Sequence, residues 1–411
     1  MSKRYRGGII SATPPTTSGT AYTGVATGIW TLEQALQAKK AGNWPKGVTI
    51  PDPPTIGTAT GGNAQASVTF TAPADTGGTA ITGYTVTSSP SNITGTGSSS
   101  PIVVTGLSNG TAYTFTVTAT NAQGTSAASA ASNSVTPSAV VAPSSVEYLV
   151  VAGGGSAGKY VGAGGGAGGL RSGTASVSTG TSYTITVGAG GATKTSNAAG
   201  NDGSTSSAFG IDTTGGGGGG ALSNNGRTGG SGGGGSTNTG GTLYPAGSGN
   251  AGSYSPVEGF AGGAAQGTAG DGATGGGGGA GEVGSAALAN GNGGNGGNGV
   301  QWPASSGTYY GGGGGGGTTS GASAGSGGLG GGGAGVTGES SSGTAGTANT
   351  GGGGGGARWS AANGAAGGSG VVIIRYANTS ADAASTTGSP TFTNTGGYKI
   401  YTFTGSGSIT F

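Results

Sequence analysis

The sequence predicts a mainly β fold plus polyglycine-II: one short N-terminal helix, a β-sandwich, and a glycine-rich polyglycine-II sandwich framed by β-strands. Three observations support this prediction. Glycine accounts for 108 of the 411 residues, and most of it lies after residue 146. Short segments that alternate apolar and polar residues fill residues 51–138. A clear helical pattern occurs near residue 32 and is absent from the glycine-rich region.

Composition excludes several classes of function. The formal net charge is +2 and only 6% of residues are charged, so we expect no binding of nucleic acid. The chain has no cysteine and no histidine, which removes thiolate nucleophiles, histidine bases and the common zinc sites. The 11 acidic residues are too scattered to suggest a catalytic pair. We therefore predict no enzyme activity, metal or cofactor and, without a run of about 18 apolar residues, no membrane insertion.

Residues 1–50 form a polar arm that contains the predicted helix, over residues 32–41. Thr31 can cap its first turn, and Gly42 suits the position just after its last turn. A helix this short is marginal in water by itself. It can form a small local core or a peg that docks onto another protein, and we favour the peg because the arm offers little to pack against. The predicted anchoring residues are Trp30, Leu32, Leu36 and Trp44.

Residues 51–138 are predicted to form a β-sandwich. Segments such as ASVTFTA and TAYTFTVTATN alternate apolar and polar residues, and turn residues separate them at about ten-residue spacing. One apolar set is expected to face the core between the two sheets. Its members are Val68, Phe70, Tyr84, Val86, Ile102, Val104, Leu107, Tyr113, Phe115 and Val117.

The string GLSNGTAYTFTVTATNAQG resembles the second half of a bacterial fibronectin type III domain. The likeness lies in a dense LxxGTxYxFxVxAxNxxG pattern and extends over nearly all of residues 51–138. It implies that Tyr113 takes the tyrosine-corner position of that family. Phe70 stands where the family has an early-strand tryptophan. The resemblance implies a spacer or interaction module without chemistry of its own.

A short linker, 139–145, leads to the glycine-rich domain, 146–411. Between residues 189 and 370, glycine tracts replace the residues of an ordinary core, and the segment NGNGGNGGNGV at 290–300 repeats with period three. Apolar strands are predicted to frame this region at 146–152, 181–189, 370–378 and 398–411.

Residues 153–158, GGGSAG, match the G-x-G-x-x-G pattern of dinucleotide-binding loops. Such a loop also needs a helix directly after its glycines and an acidic residue about twenty positions further on. Here the glycine-rich stretch KYVGAGGGAGGL follows, which disfavours a helix, and the next acidic residue is Asp202. In a chain this rich in glycine the pattern arises by chance, so we predict no nucleotide site.

The glycine tracts admit three interpretations. A collagen helix needs a strict Gly-X-Y repeat with abundant proline, but the 15 prolines lie mostly outside the tracts. A flexible linker is compatible with the composition. The third is a sandwich of polyglycine-II helices, with three residues per turn, whose backbone groups bond to neighbouring helices because no side chains intervene. We predict this third arrangement, with stability that comes mainly from backbone hydrogen bonds.

The strings VEYLVVAGGGSAG, GAGGGAGGLRSG and GGSGVVIIRY resemble the glycine-rich domain of bacteriophage tail-fibre proteins and adhesins, over most of residues 146–376. Fibre-tip adhesins of that group have a polyglycine-II sandwich with the same order of tracts and loops. The N-terminal GIWTLEQALQAKKAGNWP resembles a segment of phage structural proteins, particularly those of cyanophages. The tail YKIYTFTGSGSITF resembles a strand pair that usually precedes VEYLVVAGGG; it is expected to cap the sheet or to pair with another copy.

In that group of adhesins, the loops at one end of the sandwich bind the host receptor. Aromatic residues lie between the tracts here, on a background of Ser and Asn that suits recognition of carbohydrate or of protein loops. They can equally plug the ends of the slab as small cores, and the sequence leaves both roles open. The predicted receptor-binding residues are Trp302, Tyr309, Tyr310, Trp359, Tyr244 and Tyr254.

These features predict a fibre on the exterior of a phage virion, a tail fibre or its tip adhesin, that attaches the particle to its host. The expected partners are other virion structural proteins, bound by the N-terminal arm, and a host carbohydrate or outer-membrane protein. Open strands near both ends of the sequence favour a homo-oligomer, such as a trimer. The alternative is a non-enzymatic decoration fibre of the head, neck or tail that has no receptor. Ice binding is disfavoured because the loops lack regular rows of Thr or Ala.

Overall fold

A computed structural model of the chain describes residues 48–267, 272–318, 322–338, 341–358 and 362–411. Within these ranges the regular elements are β-strands, as predicted. The boundary between two compact units falls between Val140 and Val141. The predicted helix at 32–41 lies outside the described residues.

The first unit is a sandwich of antiparallel sheets. Its strands are β1 (Thr55–Gly62), β2 (Gln65–Thr71), β3 (Gly83–Ser89), β4 (Thr94–Gly97), β5 (Ile102–Thr105), β6 (Thr114–Asn121) and β7 (Gly124–Thr125). They form the sheets β1-β2-β5 and β4-β3-β6-β7. Every apolar residue predicted to face the core is buried between them. The hydroxyl of Tyr113 accepts the N–H of Ser108 at 3.1 Å, which is the predicted tyrosine corner.

Serine side chains close the outer edge of β6. After β7 the chain runs beside β6, where Ser126, Ser129 and Ser132 each donate a backbone N–H to a β6 carbonyl. The Oγ of each serine accepts the N–H of the same β6 residue, at 2.9 to 3.0 Å. Because both backbone groups of those β6 residues are bonded, this edge has no free groups with which to pair another strand.

The second unit contains the remaining strands. They are β8 (Ser145–Val151), β9 (Leu170–Ser176), β10 (Ser182–Ile185), β11 (Ser206–Ala208), β12 (Ile211–Thr213), β13 (Ser236–Thr237), β14 (Leu243–Tyr244), β15 (Val300–Trp302), β16 (Thr308–Tyr310), β17 (Val371–Ala377), β18 (Ser385–Thr387), β19 (Thr391–Thr395), β20 (Tyr398–Phe403) and β21 (Gly407–Thr410). The largest sheet has the order β19-β20-β17-β8-β9, and a three-stranded sheet has the order β10-β21-β18. The other strands form short two-stranded hairpins.

The central strands of the five-stranded sheet are buried on both faces. One face packs residues such as Val150 and Phe403 against Ile409 of the three-stranded sheet. The other face packs against Ala280 and the β15–β16 hairpin. Burial on both faces explains why β8 and β17 are almost continuously apolar in sequence. The C-terminal segment caps this assembly within the same chain, since β20 pairs with β17 and β21 pairs with β10.

Between its framing strands the second unit runs back and forth as extended glycine-rich segments. After β8, residues 152–158 leave the sheets, and residues 162–169 return antiparallel beside them to β9. Hydrogen bonds join this pair at every third residue, from Ala152 to Gly169, Gly155 to Gly166 and Gly158 to Ala163. Later segments run away from the sheets and back toward them in the same way, until the chain enters β17. The slab therefore has a sheet end, which carries the two sheets, and a loop end, which carries the turns opposite them.

The tract 311–317 shows how the slab is bonded. Successive N–H groups point to different neighbours. Two of these directions recur at the third residue: Gly312 and Gly315 donate to the segment 330–333, and Gly313 and Gly316 donate to the segment 294–297. The tract is buried throughout, and only Gly311, at the turn into it, has a positive φ (74°). This period of three is the predicted polyglycine-II geometry. Further segments bonded to the tract lie around it at residues 165, 274–280, 325–328 and 353–356.

Close approach of neighbouring backbones requires glycine in this tract. A Cβ on Gly314 would overlap the carbonyl oxygen of Gly354, and a Cβ on Gly315 would overlap that of Gly325. The obstacle is main chain in both cases, so no rotamer change relieves it. The absence of side chains therefore allows each segment to bond directly to the segments around it.

Candidate functional site

The loop end of the slab contains a cavity of about 220 Å³. It lies where the turn between residues 158 and 162, the β13–β14 hairpin and the end of the tract 351–356 come together. We refer to it as the loop-end cavity. The described residues that line it are Tyr160, Val161, Thr237, Asn238, Thr239, Gly272 and Arg358.

Backbone strain marks one wall of the loop-end cavity. Tyr160 and Val161 have φ values of 62° and 49°, a left-handed conformation that is unusual for a tyrosine and rarer still for a β-branched residue. The flanking lattice holds this turn: Leu222 donates its N–H to the Tyr160 carbonyl, and Gly162 donates to the Ala357 carbonyl. The two neighbouring slab segments thus fix the bulky side chains of the turn at the cavity.

A buried cation and a buried hydroxyl border the same cavity. Arg358 is 4% exposed, and its Nη1 donates to the carbonyl oxygen of Gly272 at 2.7 Å. Thr237 is 1% exposed, and its Oγ1 has no hydrogen-bond partner among the described residues. Together with the Tyr160 ring, these groups can recognise a small polar or hydroxylated ligand group without covalent chemistry.

Asn238 organises the hairpin loop beside the cavity. Its Oδ1 accepts the N–H groups of Gly240 at 3.0 Å and Thr242 at 2.8 Å, which fixes the turn between β13 and β14. Its Nδ2 lies 3.5 Å from the hydroxyl of Tyr244. Tyr244, a predicted receptor-binding residue, therefore lies at the loop end, next to a residue that lines the cavity.

Trp302 and Tyr310 lie at the opposite, sheet end. Both belong to the β15–β16 hairpin and pack against the five-stranded sheet. The guanidinium of Arg375 lies between the rings of Trp302 and Tyr398, 4.9 and 4.4 Å from their centroids. Its Nε and Nη2 both donate to Oε2 of Glu147, at 2.9 and 2.6 Å. Burial raises the pKa of the Tyr310 hydroxyl above its ordinary value. This geometry gives Trp302 and Tyr310 a place in a small core.

Tyr309 and Tyr254 also lie at the sheet end. Tyr309 alternates with Tyr310 along β16, points away from the sheet and is 38% exposed. Tyr254 lies in the turn 250–258, with the guanidinium of Arg171 at 4.4 Å from its ring centroid. The buried carboxylate of Glu258 closes this turn, since its oxygens accept the N–H groups of Thr214 and Gly252.

The structure thus divides the predicted receptor-binding residues between the two ends of the slab. Tyr244 is at the loop end, whereas Trp302, Tyr309, Tyr310 and Tyr254 are at the sheet end; Trp359 and the predicted anchoring residues Trp30, Leu32, Leu36 and Trp44 lie outside the described residues. Sequence reasoning missed Tyr160, Asn238 and Arg358. One signal was available, because bulky residues interrupt the glycine tracts at 159–161 and after 356.

The G-x-G-x-x-G segment at 153–158 has no free N–H groups for a phosphate. Each of its N–H groups donates to a carbonyl of a neighbouring segment, as where Gly154 bonds to Gly368 and Ala157 to Ala365. The segment is buried throughout. Among the described residues no acidic cluster is placed to hold a metal ion. The same described residues contain no helix that is long and apolar enough to cross a membrane.

Both units of the chain are similar to known domain families. Residues 52–135 match the fibronectin type III domain family. Solved structures similar to the chain include domains A168-A170 from titin, with 28% identity and a TM-score of 0.21, and titin kinase with its flanking domains, with 28% identity and a TM-score of 0.20. Each match covers 22% of this chain, and the chain spans 33% and 17% of those two structures.

Among curated proteins none matches the chain. The family described as a glycine-rich domain matches residues 129–377, which is more than half of the 411 residues. The slab, its framing strands β8 and β17 and this match agree, and the chain belongs to the glycine-rich domain family.

Proposed function

We propose that this protein is an exterior fibre of a bacteriophage virion, a tail fibre or its tip adhesin, that attaches the particle to its host. One observation carries the proposal. The chain enters the glycine-rich domain through β8 at the sheet end, and the slab holds side-chain-bearing loops at the opposite end. A rigid body that holds side-chain-bearing loops at the end opposite its entering strand suits recognition of another surface. The sequence resemblance to phage adhesins supports the same function.

In this proposal the loop end contacts the host. The loop-end cavity combines a tyrosine, an asparagine, a threonine and an arginine, which suit hydroxyl groups of a host carbohydrate or polar groups of an outer-membrane protein. The fibronectin type III domain serves as spacer. The N-terminal arm, through Trp30, Leu32, Leu36 and Trp44, docks onto other virion proteins. A homo-oligomer, such as a trimer, would multiply the weak contacts of single loops.

Competition for host cells tests the proposal. The full chain, added to host cells before the phage, should reduce the rate of adsorption. We expect Tyr244→Ala, which removes an aromatic ring from the loop end, to weaken this competition at least about tenfold, as removal of an interface anchor does. The matched variant Tyr309→Ala removes the same ring from the sheet end and should compete as well as the original chain.

Each contrary result has a defined meaning. Loss of competition in Tyr309→Ala alone would place the contact at the sheet end and contradict the loop-end assignment. Absence of competition by the full chain, together with normal adsorption of particles that lack the protein, would overturn the attachment function. The protein would then be a decoration fibre without a receptor, and immunogold labelling of particles would locate it on the head, neck or tail.

A further inference from the structure

The period-three repeat at 290–300 forms a ladder of asparagines on the surface of the slab. Asn292, Asn295 and Asn298 each accept a backbone N–H on Oδ1, at 2.8, 2.9 and 2.9 Å. The donors belong to the parallel neighbouring segment, where they likewise recur at every third residue. They are Ser323, Ser326 and Leu329.

Each rung of this ladder bonds both backbone groups of one residue. Gly296, which follows Asn295, donates its N–H to the carbonyl of Ser326 at 2.9 Å, while the asparagine side chain accepts the N–H of the same serine. Gly293 and Gly299 repeat the arrangement on Ser323 and Leu329. Inside the slab, a backbone N–H of the same segment bonds to a carbonyl of another polyglycine-II helix instead. The N–H of Gly325, for example, donates to the carbonyl of Gly316. The asparagines therefore occupy the place of a further helix.

The three donor residues lie at the surface, since Ser323, Ser326 and Leu329 are all exposed. Without the asparagines their N–H groups would form a row at a spacing of about 9.3 Å, the repeat of a polyglycine-II helix. Another glycine-rich segment has carbonyl groups at that same spacing. A bare row of donors would thus attract the glycine tracts of a second copy, as an open strand edge attracts another strand.

We propose that Asn292, Asn295 and Asn298 are an edge stop, which prevents the glycine slab from adding a tract of a second copy of this chain. Each side chain does two things. Its Oδ1 bonds the N–H that would otherwise attract the second tract, and its Cβ blocks the backbone approach that polyglycine-II contact requires. The same chain closes the edge of β6 in a similar way, with Ser126, Ser129 and Ser132.

Three variants of the full chain, two triple and one double, separate these two effects. Substitution of all three asparagines by glycine removes acceptor and Cβ together, and we expect concentration-dependent association in sedimentation velocity. Substitution by alanine removes the acceptor but keeps the Cβ. We expect this variant to keep the assembly state of the original chain, with faster amide exchange at Ser323, Ser326 and Leu329. Substitution of Asn292 and Asn295 by aspartate keeps both, and should leave the assembly state and the amide exchange unchanged. Asn298 is retained in this control because its Nδ2 donates to Oε2 of Glu282 at 2.7 Å, a bond that aspartate cannot make.

The outcome decides the proposal. Association of the glycine variant but not of the alanine variant supports the edge stop. A folded glycine variant with the original sedimentation coefficient at high protein concentration overturns it, as does equal association of the alanine variant. If the triple glycine variant does not fold, the single variant Asn295→Gly, which keeps the outer rungs, is judged by the same criterion.

Discussion

At the scale of single residues, glycine in this protein is a packing requirement more than a source of flexibility. In the tract 311–317 the main chains approach so closely that a single Cβ would overlap a neighbouring carbonyl oxygen. Ordering glycine costs more conformational entropy than ordering any other residue. That cost is offset by hydrogen bonds to several neighbouring segments, since every N–H from Gly311 to Gly316 is bonded.

Substitution of Gly314 tests this requirement. We expect Gly314→Ala to lower the free energy of unfolding by about 3 kcal/mol or more, because the main chain of Gly354 cannot move aside without breaking lattice hydrogen bonds. Gly405→Ala is the matched control. A Cβ there meets no atom within 4 Å and its φ is not positive, so stability should be equal or up to about 1 kcal/mol higher. Urea denaturation of both variants measures the difference, and equal stability would contradict close packing at Gly314.

At the scale of elements, the β15–β16 hairpin concerns a choice that the sequence left open, between a binding loop and a small core. Tryptophan and tyrosine beside a long glycine tract suit a binding loop, but Trp302 and Tyr310 pack on the five-stranded sheet. Only the structure brings Arg375, 73 positions after Trp302 by residue number, to its ring. Contacts over such separations leave no periodic signal in the sequence, so the role of this hairpin could not be predicted.

Substitution within the hairpin separates the packed ring from the exposed one. Trp302→Ala should lower stability by about 1–3 kcal/mol, because it removes partly buried apolar area and the ring that stacks on Arg375. Tyr309→Ala should change stability by less than about 0.5 kcal/mol, since Tyr309 is exposed. Thermal denaturation of the two variants measures this contrast. A larger loss for Tyr309→Ala would mean that its ring, not that of Trp302, holds the hairpin.

Elements with a side-chain pattern could be predicted, and those without one could not. The alternating residues of the first sandwich predicted its core, and the apolar runs predicted β8, β10, β17 and the C-terminal strands. The order of the slab segments could not be predicted, because a run of glycines carries no information about which neighbour it will contact. Tyr160, Asn238 and Arg358 meet only because that order brings three distant turns together.

At the scale of the whole molecule, the two units are stabilised in different ways. The first has a continuous apolar core, whereas the apolar clusters among the described residues of the second lie at its sheet end. The slab itself is buried glycine, alanine and backbone. Its stability therefore depends on hydrogen bonds and close contact more than on the removal of apolar surface from water.

Calorimetry tests this difference. Unfolding of the glycine-rich domain should raise the heat capacity by less than the usual 12–15 cal/mol/K per residue, because it exposes little apolar surface and much polar backbone. The fibronectin type III transition of the same chain provides the internal control and should lie in the usual range. A value in that range for both transitions would indicate that apolar burial stabilises the slab after all.

The period of three in the slab also constrains how its gene can change. In the tract 311–317 the N–H groups of Gly312 and Gly315 both donate to the segment 330–333, and those of Gly313 and Gly316 both donate to the segment 294–297. Insertion or loss of one or two residues would turn every later N–H toward the wrong neighbour, whereas a change of three residues restores each direction. Viable length variants of these tracts should therefore differ by whole turns of the helix, which in coding DNA means steps of nine nucleotides.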